Sequence, residues 1–329
     1  MVLKRDEVII IVILSFFLVS GVLILSLKTK STAKVIRIGY QPYVATHSNI
    51  ILALKNLHLL EKKGYKPVFV PFLAGPPLNE AMLSGKIDIG FAGDFPIVSL
   101  LASGVDVKII GVTNKTLRQA VVVDIEKVNE IKTIEDLKNR KIALVKGSSS
   151  HCFFLRLLKR YGIDPRLVEI IHTDVTNQPL ALIANQVDAI VSWEPWPTKI
   201  EKEKIGKILI EGEYSGYIFA QEKLLKAESQ KVQDFIKALQ EALEFSQRKL
   251  SQTCLWAEKE IKEKSEIICD ASKFDKILIP GQTVFPEDEL IEKLNNIARF
   301  AFEEGLISKV PDVKEKIEIS LIENTLKNK

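Results

Sequence analysis

Three cysteines in 329 residues, with no CxxC and no Cys/His pair at metal-ligand spacing, argue against a zinc site or a redox dithiol. The chain also lacks a dense Lys/Arg block. Its net charge of +4 is spread along the sequence, so the clustered basic stripe that nucleic acid requires is missing. No GxSxG elbow, HExxH helix or Rossmann GxGxxG turn occurs. His151 and Cys152 are adjacent, but neighbours on a helix point about 100° apart, so they do not make a nucleophile–base pair. Short-period repeats and low-complexity segments are missing too. These absences exclude no enzyme outright, but nothing asks for catalysis, a cofactor, a metal or a nucleic-acid partner. What remains is an ordinary globular composition, 27% charged and 47% hydrophobic. Cys254 and Cys269 leave two readings open: a disulfide, compatible with an oxidising compartment, or free thiols alongside Cys152.

The sharpest compositional event is at the N-terminus. Lys4 and Arg5 precede an uncharged run, residues 8–27, which Lys28 and Lys30 close. As a helix it would rise about 30 Å, enough to span a bilayer core. A cleaved signal peptide would have a shorter apolar region, and Ser31-Thr32-Ala33 is a poorly placed cleavage site. An uncleaved anchor is therefore favoured over a signal peptide. With no cysteine near the end of the run, a lipid-modified cysteine is excluded. In either case the rest of the chain belongs outside the cytoplasm.

From residue 34 onward strands and helices alternate. Residues 35–40, 66–72, 87–92 and 107–112 read as strands, with helices at 48–60, 77–84 and 95–102 between them. A second series follows: strands at 141–145, 168–171 and 187–192, with helices after Ser150 and at 179–184. This order predicts parallel strands with helical crossovers, hence α/β doubly wound lobes. The length suits two lobes rather than one core. The expected division is 1–33 as signal peptide or anchor, 34–122 as the first part of lobe 1, 123–218 as lobe 2, and 219–329 as a return to lobe 1 with C-terminal helices. Crossovers between lobes are expected at 121–123 and 217–219.

In open α/β sheets, ligands bind beyond the carboxyl ends of strands and at helix N-termini. That rule selects five segments. Gln41 follows the first strand and offers an amide to an oxyanion, or is a turn residue. Gly75 sits in Ala74-Gly75-Pro76-Pro77, a stiff loop that allows close backbone approach. Gly93-Asp94 lies between a strand and a helix, where Asp94 is suited to cap the helix. Lys146-Gly147-Ser148-Ser149-Ser150-His151 opens a helix with exposed N–H groups and hydroxyls, a ready anion site or simple serine capping. Ser192-Trp193-Glu194-Pro195-Trp196 brings two indoles to a strand end, useful for closing a pocket over an apolar group. The candidate ligand-binding residues are thus Gln41, Gly75, Gly93, Asp94, Ser148, Ser149, Ser150, His151, Trp193 and Glu194.

These motifs, taken in order, resemble the aliphatic sulfonate/nitrate/taurine branch of ABC-importer substrate-binding proteins. The matching stretches are residues 36–41, 74–76, 85–94, 146–151 and 187–195. The resemblance implies a two-lobed type II periplasmic-binding fold with the ligand in the interlobe cleft, and maps the ten candidates to cleft positions. It also implies a small sulfonate-like anion as ligand and a permease and an ATPase as partners; the expected form is a monomer, with the apolar N-terminal segment as its tether. Glu194 stands where an Asp commonly follows this Trp. The same fold hosts pyrimidine synthases, but the cysteine-rich loop they need is missing here. An anchored sensor would need a partner for output.

Overall fold

Alternating burial along the first strand sets the pattern of the molecule. In β1 (Lys34–Tyr40) Ile36, Ile38 and Tyr40 are buried on one face, while on the other Val35 is exposed and Arg37 half-buried, so one face packs into the core more fully than the other. The structure, a computed structural model, describes residues 34–277, 287–318, 321 and 325. The apolar run at 8–27, expected as an anchor or signal helix, lies outside the described residues. Among the described residues no helix is long and apolar enough to cross a membrane.

After β1 come α1 (Ala45–Asn56), β2 (Tyr65–Pro71), α2 (Gly75–Leu83), β3 (Ile89–Gly93), α3 (Asp94–Ala102) and β4 (Val107–Asp124). Next are β5 (Lys141–Leu144), α4 (Ser149–Arg160), β6 (Glu169–His172), α5 (Gln178–Ile183), β7 (Ala189–Trp193), α6 (Trp196–Lys202) and β8 (Gly206–Gln221). Then come α7 (Glu222–Ala227), α8 (Ser229–Arg248), α9 (Leu250–Ile261), α10 (Ser265–Ser272), β9 (Lys276–Ile277) and α11 (Glu287–Glu303), followed by a short 3-10 turn at Lys314–Lys316. The strands run in the order β2-β1-β3-β8-β4-β7-β5-β6, with β9 on β4.

The sheet is mixed rather than purely parallel. β1 pairs parallel with β2 and β3, and β5 pairs parallel with β6 and β7, as the alternation predicts. Joining these two parallel groups is a long antiparallel pair, β4 with β8. Near its start β4 faces the end of β8, which pairs with β3 (Gly93 opposite Gly216); near its end β4 pairs with β7 (Gln119 opposite Trp193). One strand therefore runs where sequence alone suggested a strand at 107–112 and a separate crossover at 121–123. The polar stretch Thr113-Asn114-Lys115-Thr116 breaks the apolar pattern, and there the register shifts repeatedly, between Val112, Asn114 and Leu117.

Each parallel group has its own core. Ile36, Ile38, Ile50, Leu54, Phe235 and Leu239 join β1, α1 and α8, while Leu78, Ile97, Leu294 and Ala298 join α2, α3 and α11. On the other side Ile142, Leu144, Phe154, Leu158 and Val191 form a separate cluster. These are the two lobes. The C-terminal helices α8 and α9 pack on α1. Cys254 on α9 and Cys269 on α10 form a disulfide, with Cα atoms 5.7 Å apart, and Cys152 is free and buried. This stapled hairpin also touches α6 of the second lobe through Lys199–Glu263 (2.8 Å) and Lys202–Glu266 (2.9 Å).

Candidate functional site

Four helices begin at one point. The N-termini of α1, α2, α3 and α4 meet around a small cavity lined by Gln41, Val44, His47, Gly75, Gly93, Pro96, Ser148, Ser149, Trp193 and Tyr214. Three of these helices start on Val44, Ala74 and Gly93, whose side chains cap nothing. Only α4 is capped by its N-cap side chain, Ser148 Oγ accepting from His151 N–H at 3.2 Å; in α1 Ala45 N–H meets the Glu194 carbonyl and in α3 Phe95 N–H meets Asp94 Oδ1. Uncapped N–H groups and aligned peptide dipoles give such a point positive potential. No charged side chain lines it.

Glycines make the convergence possible. A Cβ on Gly75 would lie 2.5 Å from Pro96 Cγ, and one on Gly93 would lie 2.4 Å from Ser149 Oγ and 2.9 Å from the Tyr214 ring. The lobes are in contact beside the cavity, between the loops at 43–45 and 193–194. Trp193 Nε1–H donates to the Tyr43 carbonyl at 2.9 Å, and Ala45 N–H to the Glu194 carbonyl at 3.3 Å. The enclosed space is about 20 Å³, close to the room of one water. Larger open depressions of about 550 and 560 Å³ lie elsewhere, beside Asp106 and Lys226 and beside Asn177 and Leu180. None of the residues lining those two has a buried polar side-chain atom without a partner, whereas the cavity has two. The cavity is therefore the better site.

Six of the ten sequence candidates lie on its wall: Gln41, Gly75, Gly93, Ser148, Ser149 and Trp193. The Gln41 amide already donates to the Phe91 carbonyl at 3.1 Å, which fixes its orientation. Ser149 Oγ is buried and meets no partner at hydrogen-bond geometry, yet it is close enough to Asp94 to favour that carboxylate's charged form.

The other four are not on the wall. Asp94 is the first residue of α3 rather than its cap; its Oδ1 accepts from its neighbour Phe95 N–H at 2.8 Å, and it is not one of the residues lining the cavity. Burial raises its pKa, opposed by Lys293, Ser149 and Arg156. Ser150 points into the second lobe, its hydroxyl donating to Gln119 Oε1 at 3.1 Å. His151 folds back, its Nδ1 accepting from Gly147 N–H at 3.2 Å. No hydrogen bond joins it to Cys152, whose thiol burial pushes up to about 12. Glu194 pairs with Arg118 (Oε1 to Nη1, 3.1 Å) and accepts from Thr198 N–H. Arg118 in turn holds Glu211 at 2.6 Å and stacks on Phe274, while Asp275 accepts from its backbone N–H and bonds Thr46. This buried charge cluster braces the cavity from behind.

Sequence reasoning missed His47, Tyr214, Val44 and Pro96. His47 is 1% exposed; its Nε2 lies 3.0 Å from Thr113 Oγ1, and its Nδ1 is buried without a partner. Burial lowers its pKa to about 4. Its place in the first turn of the helix that follows the first strand was the only signal available. Tyr214 comes from β8, far along the chain, and nothing local marks it. Among the described residues no group of three His, Cys, Asp or Glu could hold a metal ion.

A two-lobed α/β fold with a strand-end cavity between its halves defines a ligand-binding protein of the periplasmic-binding type. The profile of the NMT1/THI5-like family matches residues 76–249, and the chain belongs to that family. It is similar to a protein of Escherichia coli named for aliphatic sulfonate binding, 34% identical over 170 residues, a stretch covering 51% of each chain. A Bacillus subtilis protein with the same name is 26% identical over 81% of this chain and 80% of its own. The match thus spans about half the length of the first relative. Among solved structures it resembles the alkanesulfonate-binding protein SsuA from Xanthomonas axonopodis pv. citri bound to MOPS. The TM-score is 0.76 at 26% identity, covering 86% of this chain and 98% of that one. All three are named as binding proteins.

Proposed function

We propose that the protein captures a small organic anion, most simply an aliphatic sulfonate, in the cleft between its lobes. It would serve the permease and ATPase of an ABC importer as a monomer outside the cytoplasm, held at the membrane by its N-terminal segment. One observation carries the reading: four helix N-termini, three without a bond from the N-cap side chain, converge on a cavity with no charged lining side chain. Each terminus favours a nearby anion by about 0.3–2 kcal/mol. Four together exceed the contribution of one exposed ion pair, about 0–1 kcal/mol.

The sulfonate assignment draws on the relatives named for sulfonates and on the wall's chemistry. Taurine carries an ammonium that would need a carboxylate, and neither Asp94 nor Glu194 lines the cavity. Trp193 and Val44 offer apolar surface to an alkyl chain. The space of about 20 Å³ is too small for such a ligand, so the lobes must part to admit it. We assign the hinge to the irregular β4–β8 register around residues 112–117 and 214–216 rather than to 122/123 and 218/219. Ligand bridging both lobes then shifts the equilibrium toward closure.

The same small volume favours a second reading, an inorganic oxyanion such as nitrate or bicarbonate. Calorimetry with butanesulfonate, taurine, nitrate, bicarbonate and an uncharged pyrimidine separates the two. Tight butanesulfonate binding with weak taurine binding is expected. Tight binding of the pyrimidine and of no anion would end the anion assignment.

A further inference from the structure

We propose that His47 reads the head group of the ligand, donating Nδ1–H to one of its oxygens while Nε2 is occupied by the Thr113 hydroxyl. This rests on the anion reading above. The fold leaves the imidazole half satisfied. Nε2 lies 3.0 Å from Thr113 Oγ1, whereas Nδ1 is buried on a residue that lines the cavity and meets no partner. A buried polar atom without a partner is costly, so a group arriving in the cavity is the natural one to satisfy it.

The surroundings are built around that ring. It sits in the first turn of α1, where the ligand would meet the helix N-terminus and the ring together. Gly216 on β8 leaves the necessary space, since a Cβ there would fall 2.5 Å from Thr113 Oγ1 and 2.6 Å from His47 Nε2. Phe91 stands edge-on, 6.0 Å between ring centroids, and limits rotation. Burial keeps the ring neutral. A neutral imidazole has one donor and one acceptor nitrogen. With Thr113 O–H donating to Nε2, the proton resides on Nδ1, the tautomer an acceptor-only head such as a sulfonate requires. Specificity would thus come from a neutral donor at a fixed position rather than from a cation.

Two substitutions test the assignment, because an Asn amide nitrogen falls near the place of Nδ1 and a Gln amide nitrogen near that of Nε2. Butanesulfonate affinity is measured by calorimetry for wild type, His47→Asn and His47→Gln. His47→Asn is expected within about threefold of wild type, and His47→Gln at least tenfold weaker. A merely structural ring held through Thr113 gives the reverse order. Equal affinities, or Gln binding better than Asn, overturn the proposal. Nitrogen-15 spectra of wild-type His47 serve if a variant fails to fold: butanesulfonate should give a protonated Nδ1, and an unprotonated Nδ1 in the complex overturns the proposal. If folded wild type binds no anion at all, the reading of the site itself fails. If it binds anions and only the Asn/Gln order is wrong, His47 alone is misassigned.

Discussion

Replacing Gly93 by alanine should weaken ligand binding while leaving the folded protein nearly as stable as before. Gly93 has φ −75° and ψ 176°, which alanine adopts without strain. Its new methyl group would meet Ser149 Oγ at 2.4 Å and two Tyr214 ring carbons at 2.9 and 3.0 Å. The hydroxyl can turn aside; the ring edge cannot. Ser149, on α4 of the second lobe, is brought to Gly93 by apposition of the lobes, and Tyr214 lies in the β8 segment assigned to the hinge, so the strain is expected to fall on closure. Overpacking of this kind costs about 1–3 kcal/mol, which corresponds to roughly a 5- to 150-fold loss of affinity. Gly90→Ala is the control. Its methyl would lie 2.6 Å from Phe219 within one lobe's core, so the same cost should appear as about 1–3 kcal/mol of folding stability. Affinity is read by calorimetry with butanesulfonate, and stability by urea unfolding without ligand. An unchanged affinity for Gly93→Ala, or a stability loss matching that of Gly90→Ala, would refute the reasoning.

Further outcomes follow from other contacts. Trp193→Ala removes a cavity wall and the bond to the Tyr43 carbonyl; the bond alone contributes about 0.5–1.5 kcal/mol, so affinity should fall at least twofold by calorimetry, and because the indole is buried beside Val145 and Val175 the melting temperature should fall as well. Thiol titration of the denatured, unreduced protein should find only Cys152, and Cys254→Ser should lower stability by about 3 kcal/mol, the loop-closure value for a 15-residue separation. Stability should respond to pH with opposed contributions. Burial raises Glu194 and Asp275 to about 7, so their contribution is present below the ordinary carboxylate range and lost as pH rises through 7. Burial lowers His47 to about 4, so its contribution is present above the ordinary imidazole value and lost as pH falls through 4. Glu194→Gln removes a term of at most roughly 3 kcal/mol, and its urea midpoint should rise more steeply from pH 4.5 to 7 than that of wild type; identical slopes would refute the assignment.

Sequence by itself determined the order of strands and helices in both lobes, because apolar spacing and glycine or proline stops act over a few residues. β1, β5 and the start of α4 were legible in this way, and so were the strand-end loops carrying Gly75, Gly93 and Ser148 to Ser149, since parallel strands bring their carboxyl ends together. Only the tertiary structure decided which side chains of those loops face the cleft. Asp94, Ser150 and Glu194 are each one position from a wall residue and His151 is two, and one step along a helix or strand turns a side chain by 100° or to the opposite face. It also decided that β4 and β8 run unbroken between the lobes, because cross-strand pairing between residues a hundred positions apart overrides the polar break at Thr113 to Thr116. For the same reason His47 and Tyr214 became visible only when distant segments met at one cavity.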